Sequence, residues 1–86
     1  MGDAEHTAYV VADDKSGEVF VMNALWERPA DVNPRLYLYT TKEEAREHID
    51  WAYAYEKMDG APAAMAKAFL EHEPVVKEVK VVVKGL

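Results

Sequence analysis

The pattern of hydrophobic and polar positions divides the chain into four strand-like runs and two helical ones. Thr7 to Asp13, Thr-Ala-Tyr-Val-Val-Ala-Asp, is β-branched and aromatic and reads as a first strand. Asp14-Lys15-Ser16-Gly17 follows with turn chemistry, the glycine being free to take the positive φ of a bulged hairpin. A second strand is expected from Glu18 to about Trp26. It carries Val19, Val21 and Leu25 on one face and Phe20, Met22, Ala24 and Trp26 on the other. Both of its faces are apolar.

Two prolines, an aspartate and an asparagine between Arg28 and Pro34 mark a loop. Arg35-Leu36-Tyr37-Leu38-Tyr39 is expected to be a third strand, with Leu36 and Leu38 on one face and Tyr37 and Tyr39 on the other. A helix begins directly after it, because Thr40 with Glu43 and Thr41 with Glu44 form overlapping capping boxes. It is expected from Lys42 to about Met58, with Ala45, Ile49, Ala52 and Tyr55 on its buried stripe and Trp51 and Met58 on another flank. Asp59-Gly60-Ala61-Pro62 ends this helix and opens a second, which runs to about His72 and buries Met65, Ala66, Phe69 and Leu70. After Pro74, Val75 to Val83 is a fourth strand in which Val79, Val81 and Val83 alternate with Glu78, Lys80 and Lys84. The order ββ-β-α-α-β predicts an α+β two-layer sandwich: a mostly antiparallel sheet of about four strands, with one long and one short helix.

Strands with two apolar faces raise the question of what covers the second. One amphipathic helix shelters Leu36 and Leu38, so the side bearing Tyr37 and Tyr39 needs another lid. The second helix, a symmetry mate or a different protein would each serve. A bare patch would exceed the few hundred Å² that soluble monomers ordinarily expose.

Eighty-six residues make a single domain over positions 1–86, with 1–6 expected to fray. A chain of this size buries only about 60 to 65% of its unfolded surface, so its stability margin is thin. No cysteine is present, which excludes disulfides, thiolate metal sites and thiol nucleophiles and fits a reducing, cytoplasmic location. No apolar run has the length of a signal peptide or a membrane span, so no membrane association is expected. The net charge of −6 is uneven: seven acids face Lys15 and Arg28 in residues 1–31, whereas residues 60–86 are slightly positive. That sign repels phosphate backbones and argues against direct nucleic-acid binding, leaving basic protein partners open.

Candidate chemistry is sparse. Ser16, the single serine, is accounted for by the hairpin turn, and four isolated glycines form no phosphate loop. Glu44 and His48 are four apart on one helix, but the spacing matches no metal motif, and Glu43, Glu44, Glu47 and Asp50 are explained by capping and by ion pairing with Arg46. No catalytic residue, metal or cofactor is therefore expected.

The reading that follows is a small acidic, non-enzymatic protein-interaction module. It would act as an inhibitor or antagonist of a basic or nucleic-acid-handling partner, of the phage-encoded or immunity type. Tyr37, Tyr39, Trp26, Met22 and Phe20 would form its apolar interface, because Tyr and Trp are large, rigid and tolerate exposure in the free state. Asp13, Asp14, Glu18, Glu43 and Glu47 would steer the basic partner. One alternative is a small-ligand or metal-binding domain, or a minor enzyme, using a helix–sheet cleft with Glu44 and His48 as its polar groups. Another is a homodimeric accessory protein associating through the tyrosine face.

Overall fold

The computed structural model describes residues 4–21 and 25–83. The elements are β1 (Ala4–Asp13), β2 (Val19–Phe20), β3 (Trp26–Glu27), α1 (Lys42–Tyr55), α2 (Ala61–Glu71) and β4 (Pro74–Val83), with short 3₁₀ turns at Pro29–Asp31 and Pro34–Leu36. The four strands form one antiparallel sheet in the order β3-β2-β1-β4, and both helices pack on it. This is the α+β arrangement expected from the pattern.

The turn between β1 and β2 closes as the sequence requires. Gly17 takes φ +79°, its N–H donates to Asp13 O at 3.0 Å, and the Asp13 N–H donates to Glu18 O at 2.8 Å. β1 then pairs along its whole length with β4, from Ala4 opposite Val83 to Asp13 opposite Pro74. Ala4, Glu5 and His6, expected to fray, are thus held in the ladder.

Two strand assignments are corrected. The long second strand is split: Phe20 pairs with Trp26 and Val19 with Glu27, so the two halves pair antiparallel. Residues 22–24 lie outside the described part of the chain. The expected third strand, Arg35 to Tyr39, is instead a 3₁₀ turn followed by a single bridge between Tyr39 and Tyr9. Pro34 supplies the fixed φ that starts this turn, and Asn33 Oδ1 accepts the Arg35 N–H at 3.0 Å, so local bonds displace the extended form.

The sheet has one buried cluster on each face. On the helix side Val11, Phe20, Ala45, Ala52, Ala66 and Phe69 are buried together, with Ile49, Tyr55, Leu70 and Val76 packed against them. On the other side Val10, Ala12 and Val19 lie beneath Val32, Tyr37 and Leu38. The missing lid is therefore the chain's own loop. Tyr37 and Tyr39 do not share a face: Tyr39 belongs to the helix-side cluster and Tyr37 to the loop-side one. Leu36, expected beneath the first helix, is 40% exposed, and Leu38 packs beside Tyr37.

α1 starts where the capping chemistry places it, with Thr41 Oγ1 accepting the Glu44 N–H at 3.1 Å. The Glu44 carboxylate accepts from the Thr40 hydroxyl at 3.1 Å. The helix ends at Tyr55, three residues before the expected Met58. Ala45 and Ala52, both 0% exposed, let it lie close to the sheet. Ala52→Leu should accordingly overpack this contact and cost about 1–3 kcal/mol. The same change at exposed Ala54 should stay within about 0.5 kcal/mol, both read from urea denaturation midpoints.

Candidate functional site

Cross-strand pairing of Phe20 with Trp26 puts two large rings on the helix side of the hairpin, their centroids 5.5 Å apart. Phe69 of α2 meets Phe20 edge-on at 4.8 Å, and Trp51 of α1 meets Phe69 edge-on at 6.2 Å. This spacing suits the quadrupoles of the rings. His72, which caps α2, stacks on Trp26 at 4.5 Å and 15°, and its Nδ1 lies 3.0 Å from Asp13 Oδ2.

Between these groups run two adjoining hollows. A notch of about 240 Å³ is lined by Phe20, Trp26, Trp51, Met65, Ala68, Phe69 and His72. A wider cleft of about 630 Å³ is lined by Phe20, Tyr39, Glu44, Glu47, His48, Trp51 and Met65. Phe20, Trp51 and Met65 belong to both, so they form one groove with an aromatic end and an acidic end. Met65 is 53% exposed on its wall rather than buried as its place in the helical pattern implied.

Two groups in the cleft are displaced from their ordinary pKa. Burial pushes the Tyr39 phenol up, and burial holds His48 below 6.5 against the opposing pull of Glu47. The Tyr39 hydroxyl lies 3.0 Å from His48 Nδ1, within hydrogen-bond distance, and the phenol donates when that nitrogen carries no proton. At the opposite end of the groove the Asp13 carboxyl is held below 3.8, first by the Lys15 N–H at 2.8 Å, with Ser16 N–H and His72 adding to it against the cost of burial.

The structure divides the residues singled out in the sequence. Trp26, Phe20 and Tyr39 line the groove, and so does Glu47 among the steering acids. Tyr37 lies on the opposite face, and Met22 falls outside the described residues. Asp13 is 7% exposed with its carboxylate engaged, so it serves the turn rather than a free surface. Asp14 is exposed near Lys77, Glu18 lines a shallow hollow with Trp26 and Arg28, and Glu43 is exposed on the first turn of α1. Glu44 and His48 do share the cleft. Trp51, Met65, Phe69 and His72 are additional lining residues; the readable signal was Trp51, an aromatic off the buried stripe of its helix.

Among the described residues, no three His, Asp or Glu side chains converge as metal ligands, and no helix is long and apolar enough to cross a membrane. Compared with protein families, with curated proteins and with solved structures, the chain has no match in any of the three.

These shifts fix the sign of the pH response. A histidine with a lowered folded pKa takes up its proton more readily when unfolded, so stability is full above 6.5 and declines as pH falls towards the folded value. His48→Gln should flatten that slope, measured as denaturation midpoints across the window. Asp13, depressed below 3.8, contributes fully above that pH and loses its contribution as pH falls through its folded value. In Asp13→Asn this acid-side loss should be absent and the protein less stable at neutral pH.

Proposed function

We propose that this protein is a small non-enzymatic binding module that seats an apolar, basic segment of a protein partner in the groove between α1, α2 and the β2–β3 hairpin. The observation that carries the reading is the union of half-buried aromatic surface at Trp26 and Trp51 and exposed methionine surface at Met65 with the carboxylates Glu44 and Glu47 beside them. Apolar side chains of the partner would fill the aromatic end and gain burial, while lysine or arginine beside them would meet the acids. A net charge of −6 steers the same class of partner from a distance. Occupying a basic surface in this way is how an inhibitor or antagonist of a nucleic-acid-handling protein works, and a chain without cysteine suits a reducing cytoplasm.

The test is a titration with synthetic peptides in which leucine or phenylalanine is flanked by arginines, followed by tryptophan fluorescence and by amide chemical shifts. The basic peptides should shift Trp26 and Trp51 and bind more weakly as salt rises. Glu44→Lys with Glu47→Lys should weaken them about tenfold or more without unfolding the chain. Equal binding by acid-flanked peptides, or no binding by the basic ones, rejects the reading.

A second reading draws on the meeting of Glu44, His48 and Tyr39 in the wider cleft: a small ligand held there by polar groups over an apolar floor. A ligand of this kind raises the melting temperature by mass action. Metabolites and divalent metals that leave the melting temperature unchanged would remove it.

A further inference from the structure

The two margins of the sheet are unlike. β3 is two residues long, whereas β4 is ten and forms the opposite edge, with β1 its single neighbour among the described residues. Long open edges are templates for further pairing, and proteins ordinarily shorten, cover or occupy them.

The hydrogen bonds show which groups on that edge are free. Tyr9 exchanges both of its backbone bonds with Tyr39, at 2.9 and 2.8 Å, so its N–H and C=O point away from β4. Its partner Glu78 is then a non-hydrogen-bonded pair with Tyr9, and alternation along the antiparallel ladder turns the backbone groups of Val76, Glu78, Lys80 and Val82 outward. A strand added at this edge bonds to these even-numbered residues.

We infer that β4 pairs antiparallel with β4 of a second copy of this chain, about a twofold axis at Val79. Only outward residues bond across such a seam, so even faces even and the axis passes through one residue. With the axis at Val79, Glu78 of each protomer faces Lys80 of its partner, giving two opposite-charge pairs. Moving it to Lys77, Glu78 or Lys80 sets two like charges directly against each other. The strand is thus self-complementary with the axis at Val79 and self-repelling when the axis moves one residue to either side. Lys80 already holds its ammonium near Thr7 Oγ1, at 2.7 Å, and near Glu78 Oε1, at 3.2 Å, on the face where the partner's Glu78 arrives.

The same register accounts for the exposed end of the ribbon. Val82 is 50% and Val83 38% exposed, far along a molecule that measures 54 × 24 × 20 Å. In the dimer Val82 lies beside the partner's Val76, whose side chain packs on the helix-side core, and Val83 lies beside the partner's Val75. The groove is built on the β2–β3 hairpin at the other margin, so this association does not depend on what the groove binds.

Light scattering coupled to gel filtration, over a concentration series, tests the inference. The expected mass is twice the 9.7 kDa of one chain. Glu78→Lys and Lys80→Glu, each alone, should raise the dissociation constant by about tenfold or more, and the two together should restore the dimer. Val82→Pro, which removes an outward N–H at an edge where proline is tolerated, should also give a folded monomer by circular dichroism. A monomer at every concentration up to about 1 mM, or a dimer indifferent to both single charge reversals, overturns it.

Discussion

Val10, Val11 and Ala12 follow one another in the chain and all are buried, so β1 presents apolar side chains to both faces of the sheet. Successive strand residues point to opposite sides, and such a run has to be covered twice. The helices supply one cover: Ala45, Ala52 and Ala66 keep them close, and Phe20 with Phe69 fills the space between the layers. The other cover is the segment after β3, which carries Val32, Tyr37 and Leu38 across Val10, Ala12 and Val19. A proline-rich loop reaches this position more readily than a strand, because its two 3₁₀ turns change direction within a few residues.

The groove arises from the same arrangement. Phe20 and Trp26 are brought to the helix side by hairpin pairing, and Trp51 and Met65 border them without closing over. Its walls are fixed by polar contacts that reach beyond it. Asp13 accepts two N–H groups of the hairpin turn and faces His72 at the end of α2, and His72 in turn stacks on Trp26. Directly after it Glu73 adopts φ +51°, a left-handed conformation held by its carbonyl accepting the Asp14 N–H at 3.3 Å and by Lys15 Nζ 3.0 Å from its carboxylate. The hairpin turn, the end of α2 and the aromatic end of the groove are thereby one connected unit.

Capacity for interaction is separated in space. Side chains make the groove at the β2–β3 margin, where aromatic area and acids lie together. Backbone makes the β4 margin, where an extended chain would meet a row of donors and acceptors, and in the proposed dimer the charge order Lys77, Glu78, Lys80 would set the register. The proposed dimer through β4 would carry a groove on each protomer.

Much of what depends on neighbours within a few residues was legible in the chain, although the local 3₁₀ turn that Asn33 and Pro34 set reads as a strand. The β1–β2 turn, the start of α1 at Thr41, the stripe of Ala45, Ile49, Ala52 and Tyr55 and the break at Gly60 are set by capping bonds, glycine φ and helical period, all local. The tertiary structure decided whatever needed two distant segments to compete. Composition marks the run from Val19 to Trp26 as β, but only pairing of Phe20 with Trp26 folds it back on itself. Tyr37 and Tyr39 are two apart and share a face in any strand, yet a 3₁₀ turn at Pro34 breaks the alternation before them and sends them to opposite sides of the sheet. The groove was hidden for the same reason: its walls come from β2, β3, α1 and α2, and a side chain's neighbours across four elements are fixed by packing, which no local period encodes.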